Sequence, residues 1–217
     1  ELDHWTETLR GAAPLTGVAS LDPEIDTLVT TATVRVDLDP SATDAVIARL
    51  PELYGSGTAD GLLTALALAT AQDGQRSLLL TLEGHGRDLD ATGTVDLART
   101  VGWFTSAYPV RLDLADDLDL TDAAAGGRAS ATAIKAVKER LAAVPNNGVG
   151  YGILRHLDPE ASPVLAALPT AQVSFNYLGR LTSGHIADEI REIGWVPIDL
   201  ALGIGEVLRL IGHPRFD

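Results

Sequence analysis

Ser77-Leu-Leu-Leu-Thr-Leu-Glu83 is a short apolar run that ends directly before Gly84-His85-Gly86. A run of this length that stops at glycines is typical of a strand in the middle of a sheet. Residues 31–38 and 108–114 alternate between apolar and polar side chains, as half-buried strands do, and a proline at the start of the second is tolerated there. Residues 172–177 predict a further strand. The chain is therefore expected to contain at least one sheet.

Helical patterns lie between these strands. A helix is predicted from Pro40 to Pro51, where the second proline ends it. Residues 58–71 are apolar nearly all round, which is typical of a helix buried between layers. Residues 131–143 form an amphipathic helix, and the polar, Ala- and Gly-rich residues 116–130 are predicted to be a loop. The mixture predicts an α/β or α+β fold in one layered domain.

Composition excludes several classes of function. The 217 residues are 46% hydrophobic, which is enough to bury a core and excludes a disordered chain. A net charge of −14 argues against binding to nucleic acid or to an anionic membrane, because both require cationic surfaces. Without cysteine there is no disulfide, thiol nucleophile or thiolate metal site. The chain also lacks methionine, so we expect it to be a piece of something longer or a processed chain.

Glu83-Gly-His-Gly-Arg-Asp88 is a candidate site for chemistry. A carboxylate and an imidazole follow an apolar strand, and glycines there allow a tight turn and the close approach of a ligand. This arrangement suits a general acid or base. The alternative is a solvated turn in which Arg87 pairs with Glu83 or Asp88. The five histidines form neither HxxxH nor HExxH, so no metal site is predicted.

Three further stretches contain candidate binding residues. In residues 99–106 we expect Trp103 and Phe104 to pack in the core. The glycines of residues 145–152 either border a channel or turn the chain. Residues 174–179 place an amide and a phenol, those of Asn176 and Tyr177, at a strand end where they can meet a polar ligand.

Five stretches, in this order, resemble the later motifs of the condensation-type superfamily of nonribosomal peptide synthetases. They are most similar to its epimerization branch, whose motifs read DxLLxA, EGHGRE, RTVGWFTxxYP, PxxGxGYG and FNYLG. Asp88 stands where the second motif has glutamate. In this chain they are Asp60-Gly-Leu-Leu-Thr-Ala65, Glu83-Gly-His-Gly-Arg-Asp88, Arg99-Thr-Val-Gly-Trp-Phe-Thr-Ser-Ala-Tyr-Pro109, Pro145-Asn-Asn-Gly-Val-Gly-Tyr-Gly152 and Phe175-Asn-Tyr-Leu-Gly179.

The resemblance implies a two-layer α/β sandwich, a chloramphenicol-acetyltransferase-like lobe, over residues 1–217. Such a lobe faces a second one across a tunnel for the phosphopantetheine arm of a carrier protein. An epimerization domain inverts the α-carbon of the aminoacyl or peptidyl thioester on that arm. Glu83 is then the acid/base residue, and Asn176 and Tyr177 steady the enolate-like intermediate. The tunnel residues that the motifs imply are His85, Arg87, Trp103, Thr105, Ser106, Gly148, Gly150 and Tyr151.

Departures from the family pattern concern both ends of the chain. The HHxxxDG motif of the first lobe does not occur, and Glu1-Leu-Asp-His-Trp5 resembles the segment that follows it. We therefore expect a C-terminal lobe that is inactive without the N-terminal lobe. Residues 186–217 diverge from the pattern.

The resemblance leaves a second function open. The X-domain of glycopeptide synthetases has similar later motifs, has lost catalysis and recruits cytochrome P450 enzymes to the carrier-bound peptide. Ordinary condensation is disfavoured, because the Glu83–Arg87 and Phe175–Gly179 motifs are complete. The implied partners are a peptidyl carrier protein, the missing lobe and, for the X-domain, a P450. No metal or other cofactor of the chain's own is implied, and a cytoplasmic location fits.

Overall fold

A mixed sheet lies at the centre of the chain in the computed structural model, which describes residues 1–18, 20, 22–87, 97, 99–177, 179 and 208–210. The described strands follow the order β2-β1-β3-β4. β1 pairs with β2 antiparallel and with β3 parallel, and β3 pairs with β4 antiparallel. The predicted interior strand at residues 77–83 is thereby confirmed. The strands are β1 (Ser77–Gly84), β2 (Ser106–Asp113), β3 (Val173–Asn176) and β4 (Leu208–Leu210).

In the part of the chain that the structure describes, three helices precede β1 and four lie between β2 and β3. A short 3₁₀ segment occurs at Leu28–Thr30, and Pro145–Gly148 form a turn in which Asn146 and Asn147 have left-handed φ angles of 48° and 50°. Among the described residues, no helix combines the length and the hydrophobicity that a bilayer crossing requires. The helices are α1 (Leu2–Leu9), α2 (Pro40–Tyr54), α3 (Thr58–Gln72), α4 (Leu120–Ala124), α5 (Arg128–Ala142), α6 (Val149–His156) and α7 (Ala161–Ala166).

Helix α2 continues past the residue that was expected to end it. Asp39 caps its first turn by accepting a hydrogen bond from the backbone N–H of Ser41 at 2.8 Å. Pro51 lies inside the helix, where its ring removes one backbone donor but does not stop the last turn. The helix ends at Gly55, which has a left-handed φ of 55° and donates its N–H to the Pro51 carbonyl. The predicted stop at Pro51 is wrong by one turn.

Two other local predictions are also wrong. Residues 31–38 form no strand, and Val34 and Val36 are 84% and 76% exposed. Alternation alone does not make a strand, because the backbone groups of a strand need a neighbouring strand to pair with, and none of the described strands pairs with residues 31–38. The predicted loop at residues 116–130 contains α4, because the Asp119 carboxylate caps it.

Helices cover both faces of the sheet. One core cluster lies on the side of α3 and α5 and includes Leu78 and Leu80 of β1. A second cluster includes Leu79, together with residues of α1 and α7. Because side chains alternate along a strand, these clusters occupy opposite faces of β1. Burial on both faces explains why Leu78, Leu79 and Leu80 are apolar without alternation, and the arrangement confirms the predicted mixed α/β class.

Candidate functional site

The half-buried carboxylate of Glu83 lies at the end of β1 and is held by two side chains of β3. Ser174 donates its hydroxyl to one oxygen, with 3.2 Å between Oγ and Oε1. Asn176 donates its amide to the other, with 2.9 Å between Nδ2 and Oε2. Both oxygens of Glu83 thus accept a hydrogen bond from the same neighbouring strand.

Strand register brings these three residues together. β1 and β3 are parallel, so their carboxyl ends reach the same edge of the sheet. Asn176 is the direct register partner of Glu83, and Ser174, two residues earlier, is its diagonal neighbour on the same face. Side chains alternate along β1, so Glu83 lies on the same face as Leu79, which is the face of the second core cluster.

A tight turn follows Glu83. Gly86 has a φ of +63°, and a Cβ there would overlap the backbone carbonyl of Phe104. His85 is exposed, and its Nδ1 accepts a hydrogen bond from the N–H of Arg87 at 3.1 Å. Glycine is therefore needed at residue 86 for the turn to lie directly against the start of β2. There Ser106 pairs with Gly84.

Arg87 organises the segment that leads into β2. Its Nη1 donates to the carbonyls of Leu97 at 2.7 Å and Thr100 at 2.9 Å, and Nη2 donates to Gly102 at 3.5 Å. The guanidinium lies 4.7 Å from the centroid of the Phe104 ring. Arg87 thus binds main-chain carbonyls instead of pairing with Glu83. The alternative partner, residue 88, lies outside the described residues.

Trp103 is 92% exposed, so the expectation that it packs in the core is wrong. Arg87 holds the loop through its carbonyls and through the half-buried Phe104 ring, which leaves the neighbouring indole in solvent. Thr105 is also exposed, and Ser106 is half-buried at the start of β2. The predicted tunnel residues of this loop therefore lie close to the turn that follows Glu83.

The glycines of residues 145–152 lie at the start of α6 and in the turn before it. Gly148 ends this turn with a φ of +78°, and a Cβ there would overlap the Tyr108 ring. Gly150 lies within α6, where a Cβ would overlap the Glu1 carboxylate. These glycines allow α6 to pack closely against β2 and α1.

Tyr151 of α6 packs on Trp5 of α1, with 5.3 Å between ring centroids and a T-shaped arrangement. Burial raises the pKa of the Tyr151 phenol, while the nearby Arg155 opposes the rise. Tyr151 therefore contributes to the second core cluster. Its predicted place in a tunnel stays a prediction.

Of the two residues predicted to assist Glu83, only Asn176 contacts it. Tyr177 packs against the first core cluster, which occupies the other face of the sheet. Ser174 was not singled out from the sequence. The alternation of Val173 and Phe175 with Ser174 and Asn176 already places the two polar residues on one face, and this signal could have identified Ser174.

A separate cavity of about 200 Å³ opens at the opposite end of β1. Its lining includes Gln75, Ser77, Leu79 and Gln172, and none of the predicted site residues. The predicted site is therefore the open carboxyl end of β1 and β3, not this cavity.

Comparison with known proteins assigns the family. Residues 1–193 match the family model described as "Condensation domain". A linear gramicidin synthase protein of Brevibacillus parabrevis is 40% identical over 186 residues, a stretch that covers 83% of this chain and 2% of the synthase protein. The chain thus spans a small part of that curated relative.

Two solved structures share the fold. The epimerization domain from the third module of tyrocidine synthetase B aligns with a TM-score of 0.55 and 32% identity, over 84% of this chain and 42% of that one. The X-domain from teicoplanin biosynthesis aligns with a TM-score of 0.54 and 23% identity, over 80% and 35% of the two chains. The second likeness concerns the fold alone. On the family match and the synthase relative, this chain belongs to the condensation domain family of nonribosomal peptide synthetases.

Proposed function

We propose that this chain is the C-terminal lobe of an epimerization domain, which inverts the α-carbon of an aminoacyl or peptidyl thioester. The observation that carries the proposal is the Glu83 carboxylate, held by hydrogen bonds from Ser174 and Asn176 at the open end of two parallel strands. The 32% identity with the tyrocidine synthetase epimerization domain supports it.

The chemistry requires proton transfer on both faces of the α-carbon. When a base removes the α-proton, the electron pair of the C–H bond forms a double bond between the α-carbon and the carbonyl carbon, and the π pair of the carbonyl moves to the thioester oxygen to give an enolate. Return of a proton to the opposite face regenerates the thioester with inverted configuration and no net change in atoms. Glu83 serves as one of the two proton-transfer groups. The other, as the family resemblance implies, is a histidine of the N-terminal lobe.

The proposal includes the route by which the substrate arrives. Condensation-family domains work with carrier proteins, so a peptidyl carrier protein would deliver the thioester on its phosphopantetheine arm. The turn at Gly84–Arg87 and the loop that contains Trp103 flank Glu83 and would form part of the tunnel wall. The chain would need no metal or other cofactor of its own.

The test uses the complete two-lobed domain and its carrier protein. The carrier is loaded with an aminoacyl or peptidyl thioester in deuterium oxide, and incorporation of deuterium at the α-carbon is followed by mass spectrometry. We expect the Glu83→Gln variant to lose exchange by at least about a hundredfold, because it removes a proton-transfer group.

The matched control is Glu52→Gln, which makes the same substitution at an exposed position of α2 and should exchange like the wild type. If the folded wild-type domain shows no exchange above that of the loaded carrier alone, the chain is not part of an epimerase. Binding of a cytochrome P450 to the same domain would then test the recruitment alternative.

A further inference from the structure

We propose that Ser174 is a positioning residue for Glu83. Together with Asn176 it forms a two-donor clamp that holds the carboxylate in the orientation in which it exchanges a proton with the substrate. The inference rests on the proposed function, because it assumes that Glu83 transfers the proton.

The clamp restricts the terminal torsion of the Glu83 side chain. The terminal torsion of a glutamate side chain is broad, so a single donor would allow the carboxylate plane to rotate. Here each oxygen has its own donor, at 3.2 Å for Ser174 and 2.9 Å for Asn176. An ionised carboxylate has about four acceptor positions, so each oxygen can still meet a proton of the substrate.

The donors are themselves held by the core. Ser174 and Asn176 alternate along β3 with Val173 and Phe175, both buried. β3 is interior to the described sheet, between β1 and β4, so its backbone is paired on both sides. A rigid donor pair matters because a displacement of about 1 Å at a reacting group can cost about a hundredfold in rate.

The test measures deuterium exchange by the complete domain with the loaded carrier. We expect Ser174→Ala to lower kcat for exchange by about ten- to a hundredfold, because one of two hydrogen bonds to a charged group is lost. KM for the loaded carrier should stay within about twofold, since the inference gives the serine a role in orienting Glu83 and none in binding the carrier, and Tm should change little. Ser174→Thr, which keeps the hydroxyl, should restore most of kcat.

Ser77→Ala is the matched control. The Ser77 hydroxyl also donates to a carboxylate on this sheet, that of Asp113, at 2.6 Å and at the opposite end of β1. Its removal should leave exchange at the wild-type rate. If Ser174→Ala does not fold, Ser174→Cys keeps the size of the side chain but weakens the donor, so the same fall in kcat is expected.

Three results would overturn the inference while leaving the proposed function intact. They are wild-type kcat in Ser174→Ala or Ser174→Cys, a loss that appears as raised KM, and no restoration of kcat by Ser174→Thr. Full exchange by Glu83→Gln would instead overturn the proposed function, and the inference with it. The two failures are therefore distinguishable in one series of variants.

Discussion

Tyr108 lies where the two core clusters meet at the edge of the sheet. Its ring packs against residues of both clusters and is 6.2 Å from the ring of Trp5. Gly148 lies against another side of the Tyr108 ring, so close that a Cβ at this glycine would overlap the ring. This enclosure removes water from the phenol, and burial raises the pKa of Tyr108 above its ordinary value of 10.0.

The stability of the domain should therefore fall in alkali. Above about pH 10 the unfolded chain loses the phenol proton while the folded chain retains it, so the free energy of unfolding decreases as pH rises. Tyr108→Phe should make this decrease less steep, although Tyr151 still contributes to it. Urea denaturation of wild type and variant at several pH values measures both slopes. At pH 7 both phenols are protonated, which provides the reference, and equal slopes would contradict the prediction.

Several elements are held in place by cationic side chains that donate to main-chain carbonyls. Arg111 binds carbonyls near the end of α1, and Lys138 binds the carbonyls of Tyr54 and Gly55 at the end of α2. Arg76 binds main-chain carbonyls of the segment that follows β2, and Arg87 binds those of the segment that precedes it. Helix ends and irregular segments have carbonyls without helical or ladder partners, and these cations satisfy them.

Replacement of Arg87 by lysine should loosen residues 97–104. An ammonium is a point charge and cannot span three carbonyls while it stacks on Phe104. We expect backbone amides of this loop to exchange about tenfold faster in hydrogen-exchange mass spectrometry. Arg76→Lys is the control, because it should affect residues 115–118 instead. Unchanged exchange in residues 97–104 would refute the role assigned to Arg87.

At the scale of the whole molecule, stability depends on two cores that share the sheet. Leu80 of β1 is fully buried in the first cluster, beside Leu63 of α3 and Val173 of β3. One strand thus connects the helical layers on both faces with the strand that contains the Glu83 clamp. Loss of packing around β1 is expected to affect fold and site together.

Leu80→Ala should lower the free energy of unfolding by about 3 kcal/mol, because it removes buried methyl groups and leaves a cavity. Leu53→Ala, at a position of α2 that is 64% exposed, should change it by less than about 0.5 kcal/mol. Urea denaturation of the complete domain checks both values. A similar effect of the two substitutions would show that Leu80 is not part of a close-packed core.

Predictions from the sequence succeeded where the periodic pattern was long and its end signals were clear. The helix predicted at residues 58–71 corresponds to α3, the one at 131–143 to α5, and the strand at 77–83 to β1. Residues 31–38 misled because alternation does not report strand pairing, and none of the described strands pairs with these residues. Helix α4 was missed because its signal was a single cap, Asp119, within a polar segment.

By itself, the sequence determined the family, through ordered motifs, and placed Glu83 and Asn176 at strand ends. Only the tertiary structure decided that β1 and β3 are parallel neighbours, so that Ser174 and Asn176 reach Glu83 across 91 and 93 positions of chain while Tyr177 packs on the other face. The physical reason is that periodicity reports which face a side chain occupies. Which strands pair, and in what register, is set by the packing of the whole sheet.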